Sequence, residues 1–228
     1  MRERSAANVK HPRRQLWNVH RQGGKSTAAA LKALAKAITS PRALVLLISP
    51  SMRQSAELLR KVTELHAAVR GLPKPVFQSL HRFELDPEVG GRILSLPSSE
   101  STVRGYSRVS LAILDEASRI PDDIVAATKP MLATSGGELL AISTPNGQVG
   151  FFFEQWTRGG DIWERTKVTA EQCGRIDPAF LREEREMLGD ALYRQEYLCE
   201  FVANDEQIFA NEIIERAFSY SEVVPLWP

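Results

Sequence analysis

The chain has 228 residues, 43% of them hydrophobic and 25% charged, proportions that exclude wholesale disorder and leave room for one sizeable α/β domain. Its 29 basic and 28 acidic residues sum to a net charge of +1, which hides an uneven distribution. Residues 1–25 carry seven Lys or Arg against Glu3 alone, whereas residues 196–228 carry seven acids and only Arg216.

In chain order, residues 1–14 form a basic arm that fits either solvent or phosphates. QLWNVH, Gln15 to His20, is a short β-like segment, followed by a glycine turn and an Ala, Leu and Lys pattern reaching Ile38. Pro41 ends that helix, and ALVLLIS, Ala43 to Ser49, is the continuous apolar run of a strand covered on both faces. Ser51 to Arg70 has apolar residues at helical spacing (Ala56, Leu59, Val62, Leu65, Val69) and closes at Gly71 and Pro73. Residues 76–97 read as shorter strands, with a hairpin through Gly90 and Gly91. A strand at Val109 to Leu114, a helix at Pro121 to Leu132 and a strand at Leu139 to Ser143 continue the alternation. Beyond Phe151 come an aromatic helix FFFEQW, a strand near Trp163 to Val168, and helices from Pro178 to Leu188 and from Asp190 to about Cys199. The alternation predicts an α/β fold with a mainly parallel sheet flanked by helices, and sites at the carboxyl ends of its strands.

Three segments carry chemistry. In RQGGKST, Arg21 to Thr27, a strand turns into a helix through Gly23 and Gly24. Such a junction offers backbone N–H groups and a helix N-terminus to an anion, with Lys25 for phosphate and Ser26 for Mg²⁺. The standard G-x-x-x-x-G-K-[ST] pattern is not met, because Val19 stands where its first glycine belongs. In LAILDEAS, an apolar strand ends in Asp115 and Glu116, the metal and water roles that nucleotide hydrolysis needs. In LLAISTPNG, Ser143 and Thr144 follow another apolar strand and are within reach of a γ-phosphate.

Together these segments resemble the ATPase domain of the large terminase subunit, the motor that packages DNA into tailed-phage heads. That family's phosphate loop commonly reads R-Q-x-G-K-[ST], so RQGGKST needs no glycine at Val19. LPSSESTVRGYSRVSLAILDEASRIPDD resembles the stretch leading into its acidic strand, LLAISTPNGQVGFFFEQW its coupling motif, and the likeness runs on through QEYLCEFV, covering roughly residues 15–228. The resemblance implies a P-loop NTPase core over residues 15–170 and a small helical or lid extension over 171–228. Gln22, Gly23, Gly24, Lys25, Ser26 and Thr27 would hold ATP, and Ser26 and Asp115 would hold Mg²⁺. Glu116 would polarise water, Arg21 would sense the γ-phosphate, Thr144 would couple hydrolysis to movement, and Arg104 would act across subunits as a finger. The implied partners are double-stranded DNA, a portal protein, a small terminase subunit and like subunits in a ring. Two departures are expected to matter: the family has an adenine-contacting glutamine well upstream of the loop, whereas only 20 residues precede Arg21 and Gln15 lies too close to be that residue, and no nuclease domain follows, so no cleavage activity is expected.

Two other readings stay open: a truncated, catalytically silent prophage remnant, and another DNA-stimulated P-loop ATPase of helicase type, although no helicase motifs follow residue 150. GTPases lack support without an N-K-x-D motif, and the order of segments excludes an ABC transporter ATPase. His11, His20, His66 and His81 have no metal-site spacing. Cys173 and Cys199, the only cysteines, lack C-x-x-C spacing and any preceding signal peptide, so they read as reduced thiols in the cytoplasm. The longest strongly apolar run, Ala43 to Ile48, is far shorter than the ~20 residues that cross a bilayer.

Overall fold

The structure, a computed structural model, describes residues 13–99 and 105–203. Its strands are β1 (Arg14–Val19), β2 (Leu44–Ser49), β3 (Phe77–Gln78), β4 (Arg82–Glu84), β5 (Arg92–Pro97), β6 (Leu111–Asp115), β7 (Glu138–Ser143) and β8 (Glu164–Val168). Its helices are α1 (Lys25–Thr39), α2 (Met52–Ala68), α3 (Asp122–Ala133), α4 (Gly150–Arg158), α5 (Ala170–Cys173) and α6 (Pro178–Glu196). The strands form one sheet in the order β3-β4-β5-β2-β6-β7-β1-β8. From β5 to β8 every pairing is parallel, and β3, β4 and β5 run antiparallel at one edge, the β4–β5 hairpin turning through Gly90 and Gly91 as expected.

The interior strands are apolar on both sides because both sides are covered. Leu44, Leu46 and Ile48 of β2, with Ala112 and Leu114 of β6, face α3 and α4. Val45 and Leu47, with Leu111 and Ile113, face α1 and α2. Helix α1 buries Ala29, Ala30, Ala33, Leu34 and Ala37; the alanines let its axis come close to the sheet and hold its N-terminus at the end of β1. Helix α2 buries Ser55, Leu58, Leu59 and Val62, a stripe displaced from the expected one. Val69 lies just beyond the helix and is 51% exposed, because the chain has already turned extended there.

The aromatic run packs rather than displaying its rings: Phe151 and Phe152 are buried, and Phe152, Phe153 and Trp156 gather around Phe201. The carboxyl-terminal helical extension has one long helix where two were expected, broken at Gly189 by a positive φ of 75°. It also has the short α5, whose Thr169 and Gln172 form a reciprocal capping box. Ala170, Leu181, Tyr193 and Tyr197 make a small core of their own. Asn18 of β1 donates to the Cys199 carbonyl at 2.9 Å, and the Arg21 amide donates to that of Glu196 at 3.0 Å. These bonds dock the extension beside the loop that follows β1. Both cysteines are free, and burial pushes the Cys199 thiol up to about 12, which keeps it protonated and inert.

Candidate nucleotide and metal site

Strands β6, β7 and β1 are neighbours in the sheet, so their carboxyl ends bring three separated segments together. The loop from His20 to Gly24 closes tightly, the Gly23 amide donating to the His20 carbonyl at 3.1 Å. Gln22 and Gly24 have left-handed φ values of 64° and 83°, a pattern that turns successive N–H groups toward one concavity. Gly24 is the N-cap of α1. Gly23 is required by packing: a Cβ there would lie 2.6 Å from Val19 and 2.9 Å from the His20 ring.

His20 forms the floor of the loop. It is fully buried and neither ring nitrogen has a partner. Burial lowers its pKa below the ordinary 6.5, and Lys25 and Arg175 push the same way, so it stays neutral at pH 7.

Lys25 is the centre of the cluster. Its Nζ lies 3.2 Å from Glu116 Oε1 and 3.4 Å from Thr144 Oγ1, and only 10% of the side chain is exposed. The Thr144 hydroxyl donates to the Val19 carbonyl at 3.0 Å, linking the end of β7 to that of β1. Glu116 sits on left-handed backbone, φ 53° and ψ 47°, at the start of a 3₁₀ turn over Ala117–Arg119. A conformation of this kind costs a non-glycine residue about 1 kcal/mol or more. Its effect is to turn the Glu116 carboxylate toward Lys25, away from the line of β6. Ser118 in that turn bonds the Ser143 hydroxyl at 2.7 Å and donates to the Thr144 carbonyl at 3.0 Å, locking the acidic turn to the STP segment.

Asp115 is 6% exposed and its Oδ1 has no hydrogen-bond partner. A cavity of about 590 Å³ opens between α1 and α2, lined by Asp115, Glu116 and Ser26. Asp115, with its orphaned carboxylate oxygen, and Ser26 both line this cavity, and a carboxylate with a hydroxyl is a hard oxygen donor set that fits Mg²⁺. Burial, and then the Glu116 charge, raise the Asp115 carboxyl from its ordinary 3.8 to about 6. The folded chain thus holds this proton more tightly than the unfolded chain. The associated stability is complete below about pH 4 and is lost as pH rises through about 6. Ionised Asp115 therefore costs the metal-free protein on the order of 2–3 kcal/mol above that pH. Asp115→Asn is expected to raise the thermal midpoint of the metal-free chain at pH 8 by roughly 5 °C or more, with the gain shrinking toward pH 5. Calorimetry at both pH values checks this, and a lower midpoint at pH 8 would contradict the desolvation argument.

The other expected residues are placed less centrally. Arg21 is 71% exposed and lies 3.8 Å from Glu196 Oε2, turned toward α6. Thr27 is exposed on the first turn of α1. Arg104 lies outside the described residues. Three residues not singled out by motif also reach the loop. An Arg175 guanidinium nitrogen comes to 2.8 Å from where a Cβ on Gly24 would sit, placing a second cation over the anion cradle. Trp17 and Gln15 line a groove of about 400 Å³ between β1, β8 and the start of α1, beside Gly24 and Lys25. Gln15 donates to Glu164 at 3.0 Å and keeps a buried, unpartnered carbonyl oxygen. A sequence signal for the pair existed in the alternation of Gln15, Trp17 and Val19, which puts all three on the α1 side of β1. Among the described residues, no cluster of His, Cys, Asp and Glu has the makings of a multi-ligand metal centre.

A mostly parallel sheet with a glycine loop leading into α1, and an acidic strand end beside it, defines the P-loop NTPase class of fold. Within that class the sequence is specific: residues 20–216 match the family described as terminase large subunit, T4likevirus-type, N-terminal, and the chain belongs to it. The terminase large subunit of Thermus phage G20c is 24% identical over 236 residues, covering 87% of this chain and 48% of its own length. The chain thus spans about half the length of the curated relatives it matches. Among solved structures, the large terminase ATPase domain of Thermus phage P74-26 superposes with a TM-score of 0.71 at 23% identity, over 85% of this chain and 90% of that one. The large terminase of another thermophilic bacteriophage, in complex with ATP-γ-S, gives a TM-score of 0.67 at 13% identity, over 87% and 50%. Among the described residues, no helix is long and apolar enough to cross a membrane.

Proposed function

We propose that the chain is the ATP-hydrolysing motor domain of a phage DNA-packaging machine, a member of a ring of like subunits that moves double-stranded DNA through a portal. The observation that carries the reading is the meeting of Lys25, Glu116 and Thr144 beside the orphaned Asp115 carboxylate. Membership of the terminase family favours packaging over a helicase.

In this reading the amides of Gln22 to Thr27 and the start of α1 cradle the phosphates, and Lys25 leaves Glu116 for the β- and γ-phosphates. Ser26 and Asp115 would hold Mg²⁺, which would supply neutralisation of the phosphate charge. The Glu116 carboxylate, released from Lys25, orients the attacking water and accepts its proton at a carboxylate oxygen. Thr144 loses its contact with Lys25 in the same step, so the strand-end link from β7 to β1 registers the state of the site. Arg21, Arg175 and, from a neighbouring subunit, Arg104 supply further positive charge. The groove at Trp17 and Gln15 takes the base. Gln15, whose Nε2 donates to Glu164, presents its unpartnered carbonyl oxygen as an acceptor for the exocyclic amine of adenine. Residues 15–170 form the catalytic core and residues 171–228 the extension of the same domain.

The experiment is hydrolysis by the purified chain with ATP or GTP, with and without duplex DNA. Faster turnover of ATP, further stimulated by duplex, is the expected result, and Gln15→Ala should narrow the ATP preference. Equal rates for both nucleotides in both proteins would contradict the base assignment.

A further inference from the structure

At the end of the sheet opposite the phosphate loop, where the parallel strands begin, the structure holds a second polar cavity. It measures about 680 Å³ and is lined by Arg42, Arg92 and Arg108 together with the hydroxyls of Ser107, Ser110, Thr134 and Ser135. The α3–β7 turn that forms one wall also walls the next groove, whose cations are Arg13, Arg14 and Lys129. We infer that this row of cations and hydroxyls is a binding surface for the sugar-phosphate backbone of duplex DNA. The inference rests on the packaging reading for its partner but not on the nucleotide site.

The row follows from strand order. Arg92 opens β5, Arg42 precedes β2, Arg108 precedes β6 and Arg13 precedes β1, and parallel pairing puts all four at the same end. From β5 to β1 there are four strand spacings of about 4.8 Å, so the row is about 19 Å long. That is more than half of a duplex turn of about 34 Å, long enough to follow several phosphates. Most of its charge is not spent on internal ion pairs. Among the described residues, Arg13, Arg92, Arg108 and Lys129 have no ion pair, and Arg42 alone has one, with Glu88. Of the acids beside the row among the described residues, Glu138 is held by Lys32 at 3.0 Å and Lys36 at 2.9 Å, and Glu84, across from Arg92, is held by Arg82 at 2.7 Å. The chemistry is that of phosphate contact, with arginines beside small hydroxyls. The apolar members of the first cavity's lining, Pro41, Ala43 and Leu44, expose only the proline, too little for the core of a protein interface.

The test is binding of a labelled 30-base-pair duplex to the wild type, to Arg92→Ala/Arg108→Ala and to a control, Arg182→Ala, across a salt titration. Basal ATP hydrolysis is measured in parallel. The double variant should flatten the dependence of log affinity on log salt by about 1.8, from about 0.9 per phosphate contact, and weaken binding roughly tenfold at low salt. Arg182→Ala should change neither. Basal hydrolysis without DNA should be unchanged in the double variant, while stimulation by duplex is lost. Unchanged affinity and slope, or a wild type that binds no duplex, overturn the inference. Intact DNA binding with loss of binding to an acidic protein such as a portal would overturn it in favour of a protein partner. A wild type that binds duplex through this row yet hydrolyses no ATP would uphold the surface and sink the motor reading, so the two fail separately.

Discussion

Glu116→Gln is expected to lower turnover by about 10²–10⁴-fold while leaving nucleotide affinity close to that of the wild type. The exchange keeps size and shape, and with 28% of the side chain exposed the fold has little to lose. What disappears is the carboxylate that takes a proton from water. The neutral amide also frees Lys25 from its 3.2 Å ion pair, so ground-state phosphate binding should hold or tighten slightly. Single-turnover hydrolysis alongside calorimetric binding of a non-hydrolysable ATP analogue separates the two effects. A variant that turns over at the wild-type rate would remove Glu116 from the chemistry. One that loses binding in parallel with turnover would show that its role is structural.

Lys25→Ala is expected to do the reverse, weakening triphosphate binding by roughly 100-fold or more and abolishing turnover through that loss. The side chain is almost wholly enclosed between Glu116 and Thr144. Its removal deprives the phosphates of their one enclosed cation and leaves Asp115 and Glu116 to repel each other. Lys25→Arg should not rescue, because a planar guanidinium needs more width than an ammonium in the same enclosed place. Titration with the same ATP analogue measures this, and affinity within about threefold of the wild type would contradict the assignment.

These residues were legible in the sequence because each is punctuated locally. Asp115 and Glu116 end an apolar run, Gly23 and Gly24 interrupt a strand-to-helix transition, and Thr144 stands before Pro145. Continuous apolar runs at β2, β6 and β7 announced strands covered on both faces, and the alternation of strands with helices announced the parallel sheet. Contacts made by folding alone were not legible. Arg175 reaches Gly24 only because α5 and α6 dock against the end of β1. Ser118 meets Ser143 only because β6 and β7 are neighbours. Arg21 reads as a phosphate ligand from its motif, yet it faces Glu196, an acid 175 positions later. The stripe on α2 was displaced because Ser55 is buried with its hydroxyl bonded to the Met52 carbonyl at 3.0 Å, a polar residue that hydrophobic periodicity passes over. The row of arginines at the far end of the sheet has no motif at all, since its members are brought together by strand order.

If Lys25, Asp115 and Glu116 form a working ATPase engaged with DNA, the purified chain must release phosphate from ATP at steady state, and that release is the quantity to measure, with Mg²⁺ present or chelated and duplex DNA present or absent. Hydrolysis should require Mg²⁺, rise with duplex and vanish in Glu116→Gln. A chain that binds ATP yet releases no phosphate under any of these conditions, or releases it at a rate that Glu116→Gln does not alter, would refute the assignment.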